Sequence, residues 1–388
     1  MSPTPKLRRV RIVIILASLL CVLIFASARR QNVQPLRWQA ENMVVEQDTE
    51  PIYKISSDCP ADPLEQKPRS PIVLRTSDVS VTETPPVNAA IVFLIEFLDR
   101  PLEQNHKEMM RFNQSLWRLW DNFNNDYRYP IHIFHEPPFN STFRERYRAM
   151  WPEEMNVTFH LVEFSLPSSF PQIDINDPAQ IDSLNMNPTA RRAFPGYNHM
   201  IHFFFVDIFN HPAIRDLDYY WRLDHDSRLD SKIDVDLFRY MRSRGMDYGY
   251  RAVTTEARHV AHGMLDFFND YMHNTSHQAV NGKTVLDQSH GNCLAIPQDY
   301  QARQDMQPLM YYNNFEIVNV QTWLSPEIQA FTKAVDETNM IYWNRWGDAP
   351  LRYYTVNMLL NVKAKVMEWC HIDYFHHKQY TPTCSLEL

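Results

Sequence analysis

The segment NAAIVFLIEF at 88–97 decides the fold class: it is a continuous apolar run of strand length. Directly after it, residues 103–124 repeat apolar side chains at helical spacing (Met109, Phe112, Leu116, Leu119, Phe123), and 131–134 is a short second strand ahead of Pro137 and Pro138. Strand, helix and strand in that order predict a parallel α/β sheet. Towards the carboxyl end, 157–164 and 219–223 read as further strands and 200–210 as a strongly aromatic helix. Residues 235–244, 256–274, 325–338 and 351–360 read as helices, the third with Ser325 as cap and Pro326 in its first turn. Residues 88–388 are thus expected to form one α/β unit.

Towards the amino end the character changes. Residues 29–87 contain eight prolines and no glycine, which reads as an extended stem too poor in buriable surface to offset its ordering entropy. Residues 12–28 are a 17-residue apolar run between Lys6, Arg8, Arg9 and Arg11 on one side and Arg29 and Arg30 on the other. This is expected to be an uncleaved signal anchor, with 1–11 as a cytoplasmic tail and the body in a lumen. The competing reading is a signal peptide cleaved after the small residues Ala26, Ser27 and Ala28. Both send the body into the secretory pathway.

The whole chain of 388 residues carries 38 Lys+Arg against 46 Asp+Glu, and six of the cations lie in the first 30 residues without an acid. An acidic body of this kind is not expected to bind nucleic acid, which needs clustered cations. Only seven glycines occur, none spaced as a GxG pair, so Walker-type and GxGxxG phosphate loops are excluded. A nucleotide bound here must be held another way. Cys21 lies in the apolar run, leaving Cys59, Cys293, Cys370 and Cys384 open to three pairings in an oxidising lumen. Asn113, Asn140, Asn156 and Asn274 head glycosylation sequons.

Four segments could carry chemistry. YYWRLDHD at 219–226 runs a buried strand straight into Asp224 and Asp226, delivering both to the carboxyl end of the sheet, where open α/β folds bind ligands. Asp-X-Asp there suits a divalent cation shared with a diphosphate; the plain alternative is a solvated turn. YYNNFEI at 311–317 sets the single carboxylate of Glu316 among aromatic and amide groups, as for a catalytic acid or a buried structural one. RWGDAP at 345–350 precedes a helix that Asp348 could cap. In YFHH at 374–377, neighbouring histidines on an extended chain point in opposite directions, so at most one of His376 and His377 is expected to face a metal.

Taken in order, these segments resemble glycosyltransferase family 15, the fungal-type Golgi α-1,2-mannosyltransferases. The resemblance covers most of 88–380 and also includes Asn88-Ala89-Ala90, Phe123-Asn124, Tyr129-Pro130, Pro138-Phe139, Tyr197 with His199-Met200, and His211-Pro212. It implies a GT-A-like α/β fold, with a mixed, mainly parallel sheet flanked by helices, in a type II Golgi membrane protein. It further implies GDP-mannose as donor, Mn²⁺ as cofactor, a mannosylated glycan as acceptor, and transfer with retention to the 2-hydroxyl. By the same resemblance Asp224 and His376 are the metal ligands, Glu316 matches a proposed nucleophile and Tyr197 a tyrosine near the donor sugar. Asp226 and Asp348, from their own segments, are expected with Asp224 on the cofactor-binding side. Four departures stand out. The family's Glu-Pro after the strand is Asp224-His225, an Arg-Phe-X-Ser-Gly segment is replaced around 202–206, a basic residue after the first strand is Glu96, and the prolines after Tyr-X-His are absent. They motivate one rival, a catalytically silent glycan-binding or scaffolding member. A second rival is a glycoside hydrolase, which would leave the histidine segment unexplained.

Overall fold

The computed structural model describes residues 87–96, 102–137, 141–274, 285, 294 and 296–384. The expected tail, anchor and stem, with Cys21, Cys59 and Cys293, lie outside the described residues. No helix among the described residues is long and apolar enough to cross a membrane.

The run at 88–97 forms strand β1 (Ala89–Ile95), followed by helix α1 (Leu102–Leu119) and strand β2 (Ile131–His135). β3 (Val157–Leu161), β4 (Tyr219–Leu223), β6 (Tyr248–Tyr250), β9 (Phe315–Asn319) and β10 (Val366–Glu368) complete a seven-stranded sheet in the order β10-β6-β9-β4-β1-β2-β3. Every pairing in it is parallel except those of β9, which runs antiparallel to β4 and to β6. The expected mixed, mainly parallel sheet is therefore present. Its central strands β1, β2 and β4 are buried on both faces: Ile91, Phe93, Ile131 and Trp221 join one apolar cluster, while Val92, Phe134 and Tyr220 join the other. That two-sided burial is why β1 reads as an unbroken apolar run instead of an alternating one.

Two small antiparallel units flank this sheet. β7 (Val253–Thr255) pairs with β8 (Leu309–Tyr311), and β5 (Arg228–Leu229) pairs with β11 (Tyr374–His376), which turns back into β12 (Lys378–Tyr380). A disulfide joins Cys370 to Cys384 around the β11–β12 hairpin. Closing a loop of that size removes unfolded-state freedom equivalent to about 3 kcal/mol.

Several expectations are corrected. The strand expected over 157–164 ends at Leu161. The aromatic helix begins earlier, as α2 (Gly196–His202), and widens into a π-helical turn over Phe203–Asp207 whose three phenylalanines are buried. The helix expected over 256–274 is only α4 (Met264–His273), which follows α3 (Leu237–Arg244). Its expected first half is a run of turns after β7, with the Glu256 amide still donating to the Pro308 carbonyl at 2.8 Å, and Gly263 starts the helix from a left-handed φ of 74°. α5 (Pro326–Glu337) follows Ser325, whose side chain makes no capping bond. α6 (Asp348–Leu359) begins at Asp348 itself, one position after its cap at Gly347.

Candidate active site

The site is assembled by register. β4 runs in the sheet interior and stops at Leu223, so Asp224, His225 and Asp226 emerge together at its carboxyl end. Two residues later β5 pairs with β11, Leu229 opposite Tyr374 and Arg228 opposite Phe375. Continued by one step, this ladder sets His376 beside the Asp-X-Asp turn. Nε2 of His376 lies 3.6 Å from Oδ2 of Asp224 and 3.2 Å from Oδ1 of Asp226. Asp224 and His376, 152 positions apart in the chain, thus face one point.

The other ring nitrogen of His376 is fixed by neutral groups: Nδ1 lies 2.9 Å from the Tyr312 hydroxyl and 2.8 Å from the Asn314 amide nitrogen. Asn314 is locked in turn. Its backbone carbonyl accepts from the Asp224 amide at 3.2 Å, and the Tyr374 hydroxyl donates to the same carbonyl at 2.9 Å. Such outer partners hold a ligand imidazole in one orientation. For Asp226, burial alone would raise the carboxyl, but the hydrogen bond from His376 and the nearby His376, His225 and His377 rings outweigh it and bring it down to about 2. It stays ionised.

Arg222, buried within β4, organises the remaining carboxylates. Its Nε reaches Oδ1 of Asp224 at 3.3 Å, its Nη1 pairs with Asp348, and its guanidinium lies 3.6 Å over the Phe204 ring. Desolvation opposes its charge, yet Asp348 and Asp224 raise it above its ordinary value. Asp348 also accepts from the Asn313 amide at 2.9 Å. The expectation that Asp348 caps its helix is therefore replaced: the residue stands in the first helical turn and spends its carboxylate on Arg222 and Asn313. Tyr197 stands at the rim, 46% exposed, with Arg345 stacked 5.1 Å from its ring centroid. Burial of its hydroxyl and the negative charge of Asp348, Glu256 and Asp224 push it up to about 12, so the phenol stays a hydrogen-bond donor.

Glu316 stands opposite Arg222 in the β4–β9 register, in the protein interior. It is fully buried, and both oxygens are occupied: Tyr220 donates to Oε1 at 3.2 Å, Tyr248 to Oε2 at 3.0 Å, and Arg352 pairs with Oε2 at 3.1 Å. Arg352 is equally buried and is held over the rings of Trp323 and Phe209.

The opposite orientation expected of the two histidine rings is not what the fold shows. His377 has a left-handed φ of 57° at the turn between β11 and β12, so the alternation of an extended chain does not apply. Its ring centroid lies 4.1 Å from that of His376, and ligand atoms of Asp226, His376 and His377 all lie within 4.8 Å of one another. Nothing in the sequence alone marks Arg222, Asn313, Asn314 and Tyr312 as site residues except their position in the same short segments as the carboxylates.

Comparison with known proteins places this geometry. A family model described as glycolipid 2-alpha-mannosyltransferase matches residues 58–387. The chain is 22% identical over 283 residues to a probable mannosyltransferase, KTR4, of Saccharomyces cerevisiae, covering 70% of this chain and 59% of that one. It is 24% identical to O-glycoside alpha-1,2-mannosyltransferase homolog 4 of Schizosaccharomyces pombe, covering 78% of this chain and 73% of the relative. The chain thus spans about three fifths of the length of the yeast protein. In fold it is similar to the crystal structure of Ktr4p from S. cerevisiae, with TM-score 0.62 and 20% identity over 77% of this chain and 73% of the other. It is also similar to core-mannan synthase A of Aspergillus fumigatus in its Mn/GDP form, with TM-score 0.59 and 18% identity over 90% and 87%. With a family match spanning the whole sheet and both halves of the site, the chain belongs to glycosyltransferase family 15, a family of mannosyltransferases.

Proposed function

We propose that this protein transfers mannose from GDP-mannose to the 2-hydroxyl of an α-mannoside on a glycoprotein or glycolipid, with retention of configuration, at a site that takes Mn²⁺ or another divalent ion. The observation that carries this reading is the meeting of Asp224, Asp226 and His376 at the carboxyl end of β4. The donor set fits a divalent ion. Two carboxylates and one imidazole nitrogen converge, and the neighbouring cation, Arg222, is already committed to Asp224 and Asp348. A diphosphate approaching these acids unaided would meet repulsion. When bound, the ion supplies charge stabilisation to a nucleoside-diphosphate leaving group.

The chain's own residues divide the remaining work. Arg222 keeps Asp224 and Asp348 in fixed positions relative to each other. The Tyr197 phenol, held protonated, can donate to a sugar oxygen at the rim. Glu316, with both oxygens bonded and no exposed surface, supports an electrostatic role beneath the site more than covalent attack on the anomeric carbon. We further propose a single-pass type II placement in the Golgi membrane, on the apolar run at 12–28 and on the Cys370–Cys384 disulfide, which suits an oxidising lumen.

The test is direct: the full-length chain is incubated with GDP-mannose, Mn²⁺ and methyl α-mannoside, and the product linkage is read by NMR. An α-1,2-linked disaccharide that disappears on chelation is expected. No product, with GDP bound equally well with and without metal, would instead favour the silent family member. That rival draws on the replaced segment at 202–206, whose phenylalanines are buried in the core.

A further inference from the structure

We propose that His377 is a further protein ligand of the ion beside Asp226 and His376, so that the site offers two imidazoles and selects a nitrogen-seeking ion such as Zn²⁺ or Co²⁺ over Mn²⁺. The inference rests on the reading that this site holds a divalent ion, and it names which chain groups hold it and what they prefer.

Three observations converge on it. First, ligand atoms of Asp226, His376 and His377 lie within 4.8 Å of one another, close enough to share one ion after small side-chain adjustments. Second, His377 reaches this position only through a left-handed backbone, φ 57°, at the one-residue turn between His376 and Lys378. That conformation costs a β-carbon-bearing residue about 1–2 kcal/mol, and Gly or Asn would serve the turn with less strain. The strained choice carries the ring to the same side as that of His376, with centroids 4.1 Å apart. Third, Asp226 is the nearer acid: its Oδ1 lies 3.2 Å from His376 Nε2, against 3.6 Å for Oδ2 of Asp224, whose other oxygen is engaged by Arg222 at 3.3 Å. The point that the ligands share thus lies on the side of Asp226 and the hairpin turn.

The consequence is chemical. Sites rich in carboxylate and water oxygen suit Mn²⁺ and Mg²⁺, whereas imidazole nitrogen suits Zn²⁺ and Co²⁺, and the order of divalent affinities runs the same way.

The experiment titrates the full-length chain with Co²⁺ alone, without nucleotide, following the visible ligand-field absorption, and then displaces Co²⁺ with Zn²⁺ or Mn²⁺. The variant is His377→Gly, which removes the ring and relieves the backbone. Wild type is expected to bind Co²⁺, with Zn²⁺ displacing it at concentrations roughly a hundredfold below those needed for Mn²⁺. His377→Gly is expected to lower Co²⁺ affinity about tenfold or more and to shift the absorption band, while the metal-free melting temperature holds or rises. Wild-type affinity and spectrum in His377→Gly would overturn the proposal, as would Mn²⁺ displacing Co²⁺ as readily as Zn²⁺ does. GDP affinity with and without metal is measured in parallel. A glycine variant that keeps wild-type Co²⁺ binding while GDP binding stays metal-linked defeats this proposal alone. Wild type that binds no Co²⁺, with GDP affinity indifferent to metal, defeats the donor-site reading as well.

Discussion

Two histidines in this molecule each stand between two aspartates, and they are not alike. His202 has one carboxylate on each ring nitrogen, Asp207 at 2.8 Å on Nδ1 and Asp336 at 2.9 Å on Nε2. Burial disfavours its charge, but the two carboxylates outweigh burial and raise it to about 9. Each donor has an acceptor, and the clamp ties the turn after α2 to α5. His376 offers both aspartates a single nitrogen, at 3.2 and 3.6 Å, while its other nitrogen is held by the neutral Tyr312 and Asn314. One N–H cannot serve both acids, so negative charge is left over and an added cation balances it. The separation between a structural clamp and a metal site lies in which ring atoms the acids share, not in composition.

The largest expected effect tests that distinction. Asp224→Ala and His376→Ala should each lower turnover by about a thousandfold or more, with melting temperatures close to wild type. His202→Ala should do the reverse, keeping measurable turnover and losing stability. Initial rates and thermal melts of the three variants decide it, and near-normal rates in the first two would dissolve the contrast.

Glu316 sharpens the comparison from the buried side. Replacing it with Gln leaves the Arg352 charge uncompensated in the interior, a loss of roughly 3–5 kcal/mol in urea unfolding. A Glu316→Gln protein as stable as wild type but inactive would restore a covalent role for this residue.

The clamp itself has a pH signature. The folded-state value of His202 is raised from 6.5 to about 9, so its stabilisation is fully present below pH 6.5 and is lost as pH rises through 9. His202→Gln should therefore cost about 3 kcal/mol at pH 6 and progressively less towards pH 10. A constant deficit across that range in denaturant titrations would show that the clamp acts through packing alone. The smallest effect belongs to the rim: Tyr197→Phe should raise the donor KM about fivefold, the value of one hydrogen bond, with little change in melting temperature.

How much of this is legible in the sequence depends on the length of the pattern. β1, β4 and α1 are, because each is long enough to show burial or helical spacing, and Asp224 and Asp226 are visible as charge at the end of an apolar strand. β5 is not: Arg228 and Leu229 carry no periodicity, yet their pairing with β11 is what brings His376 to the aspartates. His377 misleads because alternation presumes an extended chain, and a single left-handed residue cancels it. Glu316 is conspicuous as a lone acid, but its partner Arg352 lies 36 positions away on α6, so its bonded, interior state emerges only from the packed sheet and helix. The segment at 200–210 reads as a helix because of its aromatic density, which in the fold fills the core beside Arg222 and Arg352.

The measurement closest to the central claim is calorimetric titration of GDP into the full-length chain, with Mn²⁺ and with EDTA, for wild type and for His376→Ala. The account predicts wild-type affinity at least tenfold tighter with the ion, and a His376→Ala variant in which that gain is gone. Equal GDP affinity in the presence and absence of the ion, or an undiminished gain without the His376 ring, would contradict it.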